Sequence, residues 1–258
     1  MKIAVCGKGG VGKTFIAGSL ARCLVQAGHP VLAIDADSSP NLALTLGLTS
    51  GDAARIVPVA ENEELIRLKT ATEYPGVFRL TFTVDDIIRN HAVLTPSGVH
   101  LLVMGTIRAM GSGCTCPAHS VVKALMRHLV VERNEAVILD MEAGIEHLGR
   151  GTAGHVNSLL VVTDANRKSL EVAATICRLA RESEIAHVGL VGNRVDESRH
   201  ETAIRSFADE HGLDVIAIIP YDMQVTETGI SGNALDESSS VAFQVIRELS
   251  SRLIRDGE

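Results

Sequence analysis

The 258-residue sequence lacks several features that would settle its class at once. No stretch approaches the roughly 18 uninterrupted apolar residues of a membrane-spanning helix, so no membrane association is expected. No long Lys/Arg run appears, and 24 basic residues are outnumbered by 31 acidic ones, giving a formal charge of −7. That balance argues against a nucleic-acid partner. The five cysteines have no disulfide-framework spacing, which points to a reducing, cytoplasmic setting. No signal peptide is expected, because the chain goes straight into a strand and a glycine-rich loop. Repeats and low-complexity linkers are missing too. With 46% hydrophobic and 21% charged residues, the composition is that of a globular protein able to bury a sizeable core.

What is present is organised around the first fourteen residues. Ile3 to Cys6 is apolar and partly β-branched, as in a buried strand. It breaks into Gly7-Lys8-Gly9-Gly10-Val11-Gly12-Lys13-Thr14, and a helical pattern follows at Ile16, Leu20, Leu24 and Ala27. This is the phosphate-binding pattern G-x-x-x-x-G-K-[ST] in its strand–loop–helix setting. Glycines let backbone N–H groups turn in around an anion, and the helix adds its positive dipole end. Gly9, Gly10, Val11 and Gly12 cradle the phosphates, Lys13 reaches the β- and γ-phosphates, and the Thr14 hydroxyl holds Mg²⁺. ATP or ADP with Mg²⁺ is the expected ligand. In most loops Lys8 would be read as a solvated lysine.

Pro30 to Asp35 reads as a second strand, followed by Asp37 and Asn41. A lone carboxylate there would pass for a cap. Two of them, Asp35 and Asp37, lie on the sheet edge where open parallel sheets bind ligands. Residues 50–95 read as an irregular insertion, with a weak strand signal at Val77 to Val84 and a weak helix signal at Val84 to Asn90. Val99 to Met104 is a third strand. It leads into Gly111-Ser-Gly-Cys114-Thr-Cys116-Pro117 and a helix from Pro117 to about Val131, with Cys116 at the N-cap position. The helix end favours the thiolate form there.

For Cys114 and Cys116 several readings stay open. They could be two buried small side chains, or a disulfide in a small strained ring. With His119 they form a C-x-C-x-x-H set. A twofold axis through the loop instead brings two copies together as four thiolates, the number a tetrahedral metal site needs.

Glu135 to Asp140 is a fourth strand that resembles a Walker B segment, an apolar run ending in Asp, and on that likeness Asp140 would bind Mg²⁺ through water. The run Met141 to Gly151 has the glycines of a mobile switch. Ser158 to Thr163, His187 to Asn193 and Val215 to Pro220 complete the strands. Asn193 and Asp222 are each open to a bland reading, as a turn residue and a helix cap. The C-terminal helix (Val241, Val245, Leu249, with Phe243, Ile246 and Leu253) is amphipathic, but its polar face lacks the basic bias of a membrane anchor, so core packing is expected. Cys6, Cys23 and Cys177 fall in strand or helix patterns and read as core. Alternating strands and helices give an α/β fold: a mainly parallel, doubly wound sheet with helices on both faces, a P-loop NTPase spanning residues 1–258 as one domain.

The spelling Lys8 to Thr14 resembles the deviant Walker A loop of a group of dimeric ATPases. That group includes the nitrogenase iron protein, MinD and ParA-type positioning ATPases, and metallocentre maturation ATPases. The resemblance implies that Lys8 crosses a dimer interface to the partner's nucleotide. It also implies that Asp37 orients or deprotonates the attacking water, with Asp35 nearer the Mg²⁺ shell. Asn193 and Arg194, and then Pro220 and Asp222, match the segments that contact adenine. G-S-G-C-T-C-P-A-H together with D-M-E-A-G-I-E-H-L-G-R-G is similar to the CooC family, accessory ATPases that mature nickel-containing carbon monoxide dehydrogenase. This implies a homodimer linked by nucleotide and metal, holding nickel or zinc (Ni²⁺ or Zn²⁺) through Cys114 and Cys116 of both subunits. Apo carbon monoxide dehydrogenase would be the client. Phe15 departs from relatives that carry a second hydroxyl residue, and little effect is expected from it. Two rival readings are an electron-donor ATPase with a bridging [4Fe–4S] cluster and a positioning ATPase. Cluster cysteines in the former lie in separate loops, one within switch II, where this chain has none; the latter gives Cys-x-Cys no task.

Overall fold

The computed structural model describes residues 1–37, 40–74, 77–79, 82–105, 117–131, 135–142, 155–231 and 235–257. Its strands are β1 (Lys2–Gly7), β2 (Val31–Ala36), β3 (Val93–Leu94), β4 (His100–Val103), β5 (Ala136–Met141), β6 (Ser158–Thr163), β7 (His187–Val195) and β8 (Val215–Pro220). The helices are α1 (Lys13–Gln26), α2 (Leu42–Thr45), α3 (Ser50–Ala53), α4 (Glu63–Thr70), α5 (Asp85–His91), α6 (Pro117–Val131), α7 (Arg167–Glu182), α8 (Ser198–His211), α9 (Met223–Ser231) and α10 (Val241–Gly257).

The strands form one sheet in the order β3-β4-β2-β5-β1-β6-β7-β8. Every neighbouring pair is parallel except β3 with β4. The central strands show why. All six residues of β1 and of β5 are buried, as a parallel sheet covered on both faces requires. Alternate side chains feed two cores. Ala4 and Cys6 join Val121, Leu125 and Leu129 of α6 and Ile176 of α7 on one face. Ile3 and Val5 join Ile16, Leu20 and Leu24 of α1 and Ile246 of α10 on the other. Helices on both faces of a mainly parallel sheet are thus what the structure has.

Helix α1 stops one residue short of Ala27. Gly28, at φ +90°, turns the chain, with Gly28 N–H donating to Val25 O (2.9 Å) and His29 N–H to Leu24 O (3.0 Å), the pairing that closes a helix C-terminus. The C-terminal helix packs as core, but its buried stripe is Ala242, Phe243, Ile246, Leu249 and Leu253. Val241 falls off that stripe and is 54% exposed. Cys6, Cys23 and Cys177 are buried, and no helix among the described residues is long and apolar enough to cross a membrane.

The insertion differs most from the sequence reading. The weak strand signal at 77–84 leaves only an isolated bridge, Ala71 to Phe78, among the described residues. Helix α4, for which no pattern stood out, is capped by Asn62, whose Oδ1 accepts from Leu65 N at 3.0 Å. It lies against α6, and Leu65 joins the same core as Leu125. The two-residue β3 was not foreseen: it is shorter than any period can reveal.

Candidate functional site

Strand ends gather the chemistry. Asp35 and Asp140 are register partners near the carboxyl ends of β2 and β5. The loop after β1 lies on the same edge, and so do Asn193, Arg194 and Pro220 at the ends of β7 and β8. This follows from right-handed crossovers between parallel strands, which bring every post-strand loop to one rim.

The loop is shaped by its glycines. Gly7 has φ +147°, and a Cβ there would meet Val162 O at 2.2 Å. Gly12 has φ +96°, and its Cβ would meet the Asn193 side chain at 2.3 Å. Lys13 begins α1, is only 5% exposed, and holds its ammonium 3.8 Å from Asp37 Oδ2. Lys8 is half-buried at the start of the loop.

Three carboxylates lie at this end of the sheet, Asp35, Asp37 and Asp140, and play different parts. Asp35 is fully buried, and both oxygens accept backbone N–H groups, Oδ1 from Asp37 at 3.3 Å and Oδ2 from Leu42 at 2.9 Å. It therefore holds the chain that follows β2 in place. Burial raises its pKa, and those N–H bonds pull it back. Asp37 is the half-buried partner of Lys13. Asp140 is fully buried, and among the described residues neither oxygen has a hydrogen-bond partner. Burial pushes it up to about 7; the Thr14 hydroxyl and Lys13 oppose the rise, and Asp35 and Asp37 add to it. Thr14 thus lies near enough to favour the ionised carboxyl without forming a good bond. A buried, unpartnered carboxyl beside a hydroxyl and an ammonium is a donor set that suits a hard cation with oxygen ligands. Mg²⁺ fits the residues present.

Beside the loop lies a cleft of about 270 Å³, lined by Gly12, Phe15, Asn193, Arg194, Tyr221 and Val225 among others. This is near the lower end of ligand pockets, roughly 300 Å³, and suits one base with its sugar. Asn193 is 4% exposed and donates from Nδ2 to Val11 O at 2.7 Å. Its Oδ1 makes no hydrogen bond among the described residues. Arg194 donates from Nη1 to Gly10 O at 2.9 Å. Asp222 also borders the cleft, but its carboxylate caps helices. Oδ1 accepts from Gln224 N at 2.9 Å, and Oδ2 from Ser240 Oγ at 2.6 Å and Ala242 N at 3.2 Å. Burial alone would raise its pKa, and these bonds outweigh burial and lower it. The bland cap reading therefore describes its geometry.

Phe15 and Tyr221 were not singled out as cleft residues. The signal was available: Phe15 breaks the hydroxyl pattern one residue past Thr14, and Tyr221 sits between Pro220 and Asp222. Cys114, Cys116, the switch residues 143–151 and the His119 side chain lie outside the described residues. Among the described residues, one group could chelate a metal, Asp196, Glu197 and His200. It sits on the surface and is internally paired, His200 Nδ1 to Asp196 at 2.7 Å and Glu197 to Arg199 at 2.6 Å.

A family model for the CobQ/CobB/MinD/ParA nucleotide binding domain matches residues 2–235. An uncharacterized ATP-binding protein of Methanocaldococcus jannaschii is 38% identical over 248 residues, 95% of each chain. Carbon monoxide dehydrogenase accessory protein CooC of Rhodospirillum rubrum is 41% identical over 234 residues, 90% of this chain and 88% of that one. The iron-sulfur ATP-binding protein of a light-independent protochlorophyllide reductase from Chloroflexus aggregans is 23% identical, over 91% of this chain and 82% of its own. Among solved structures, the MinD cell division protein of Aquifex aeolicus superposes with a TM-score of 0.68 at 22% identity, covering 100% and 98% of the two chains. Cobyrinic acid a,c-diamide synthase of Mycobacterium smegmatis, with bound ATP analogue and magnesium, gives 0.64 at 20%, covering 99% and 95%. At those identities the structural matches speak for the fold.

Proposed function

This chain belongs to the CobQ/CobB/MinD/ParA nucleotide-binding family, and from that premise we propose that it is an ATP-driven metallochaperone for a nickel enzyme of the carbon monoxide dehydrogenase type. The observation that carries the reading is the 41% identity to CooC over 90% of the chain. A Cys-x-Cys pair, Cys114 and Cys116, accompanies it in the sequence between β4 and α6.

The site's residues divide the work as follows. Backbone N–H groups of residues 9–14 and the start of α1 hold the phosphates. Lys13 neutralises their charge, and Thr14 and Asp140 hold Mg²⁺, whose charge offsets that developing on the γ-phosphate. Asp37 leaves Lys13 as phosphate arrives and positions the attacking water. Lys8 reaches across to the nucleotide of a second copy, so hydrolysis and dimer closure are linked. The base lies between Phe15 and Tyr221, with Asn193 Oδ1 free to accept from an adenine amino group. Pro220 shapes the cleft wall, and Asp222 holds it by capping α9 and α10. Cys114 and Cys116 of two subunits bind the nickel or zinc cargo as four thiolates. Tight thiolate binding makes release depend on separating the pairs. The client is the apo dehydrogenase.

The test is metal analysis of anaerobically purified protein with and without ATP, alongside Cys114→Ser and Cys116→Ser. About one metal ion per dimer is expected in the wild type. Both variants should lose the metal and keep ATP binding; unchanged metal content in them would refute the scheme. The likeness to an iron-sulfur ATP-binding protein favours a second reading, an electron-donor ATPase with a bridging cluster. A brown chromophore absorbing at about 400 nm would establish that alternative.

A further inference from the structure

Two consecutive side chains at the end of β7 grip two consecutive carbonyls of the phosphate loop. Asn193 Nδ2 donates to Val11 O at 2.7 Å, and Arg194 Nη1 donates to Gly10 O at 2.9 Å. The contact spans 182 and 184 residues of sequence. Nothing local therefore brings it about; the sheet does, by placing β7 two strands from β1.

Three further features belong to this contact. Asn193 is buried, and its nitrogen occupies the space a Cβ on Gly12 would fill. Gly12 is thus glycine twice over, for its φ of +96° and for the side chain packed on it. Arg194 has φ +58°, a left-handed conformation that a non-glycine residue adopts only at a cost. Strain of this kind persists where surrounding contacts over-determine the backbone. Here the strained residue is the one whose guanidinium reaches Gly10.

The peptide bond supplies the consequence. In a trans peptide the C=O and N–H point in opposite directions. Holding Val11 O toward Asn193 turns the Gly12 N–H the other way, and holding Gly10 O turns the Val11 N–H back on Lys8 O, to which it donates at 3.4 Å, closing the loop's own turn. Phosphate is recognised by loop N–H groups, so the direction of the carbonyls decides whether the cradle exists.

We propose that Asn193 and Arg194 are positioning residues, a two-pronged support that sets the peptide planes of the phosphate loop and ties them to the base cleft that both residues line. This rests on the loop being the nucleotide site, and it goes beyond base recognition, since it assigns these residues a task that a ligand without a base would still feel.

The experiment compares Mg-ATP with Mg-tripolyphosphate, which has the phosphates and no base, each competing against a fluorescent ATP analogue. The variants are Asn193→Asp, which replaces the donor by an acceptor facing Val11 O, and Arg194→Ala and Arg194→Gly. Thermal unfolding of each variant checks that it folds. If Asn193→Asp fails that check, the two Arg194 variants carry the test, because Arg194 is exposed and Gly also relieves its φ. Mg-ATP and Mg-tripolyphosphate should weaken together, by about tenfold or more, the effect of one lost hydrogen bond left facing an unpaired group. Weakened ATP with unchanged tripolyphosphate would mean base contact alone and overturn the proposal. So would wild-type protein that binds Mg-ATP but not Mg-tripolyphosphate, because a preformed cradle holds phosphate unaided. Wild type that binds neither would sink the nucleotide reading itself. Metal content enters none of these readouts, so the metallochaperone scheme fails or stands separately.

Discussion

Asp140→Asn tests the electrostatics of the nucleotide rim most directly. The wild-type carboxyl rises from 3.8 to about 7, chiefly by burial, so between those values the native state holds a proton that the unfolded chain has lost. By linkage, stability falls as pH rises through that window and levels off above 7. The full shift of about three units corresponds to about 4 kcal/mol. Between pH 5 and pH 8 the part that develops is about 2.5 kcal/mol. Asparagine does not titrate, and its buried amide costs about 1–3 kcal/mol at every pH. The stability of the variant relative to wild type should therefore climb by about 2.5 kcal/mol from pH 5 to pH 8. Urea denaturation with a chelator present, at pH 5, 6, 7 and 8, measures this. Asp35 faces Asp140 in register and also titrates high, but it is present in both proteins and largely cancels. Parallel pH profiles for the two proteins would show that Asp140 is not the buried, uncompensated group described above. Mg²⁺ requires the ionised form. Wild-type Mg²⁺ affinity should thus fall about tenfold per pH unit below 7.

Asp37→Asn removes the ion that holds Lys13 at 3.8 Å; ATP affinity should rise or stay level while turnover falls by about 10²–10⁴-fold, read as a split between KM and kcat. Gly12→Ala puts a methyl 2.3 Å from Asn193 and demands φ +96° of an alanine, so it should cost about 1–3 kcal/mol in urea denaturation and remove measurable ATP binding. Asp222→Ala strips three hydrogen bonds from the starts of α9 and α10; a loss of about 2 kcal/mol is expected, with ATP binding weakened only modestly if capping is its main task.

The N-terminal loop and the strand frame were readable because their signals are local. Five or six apolar residues, a glycine run and a helical period can each be counted along the chain, and β6, α6 and β8 fall where their patterns place them. The edge strand β3 was invisible because two residues carry no period. Helix α4 was missed because it buries only Leu65 and Thr70, too few to print a stripe. In the C-terminal helix the apolar register was legible, but Val241 at its first turn satisfied the pattern and still faces solvent. Asp35 and Asp140 look alike in sequence, each an acid near a strand end. They differ because Leu42 and Asp37 N–H groups donate to one, while among the described residues no backbone N–H donates to the other, which has the Thr14 hydroxyl and the Lys13 ammonium near it.

Residue types and spacing alone thus determined that this chain binds a phosphorylated ligand on the rim of a parallel sheet, because a cradle of N–H groups, an ammonium and a hydroxyl can be specified within fourteen consecutive positions. Only the folded arrangement decided which carboxyl lacks a hydrogen-bond partner among the described residues, which aromatic side chains wall the cleft beside the loop, and that Asn193 and Arg194 brace Val11 and Gly10 from more than 180 residues away. Those outcomes depend on strand order, and strand order is a property of the packed sheet, which no stretch of chain contains.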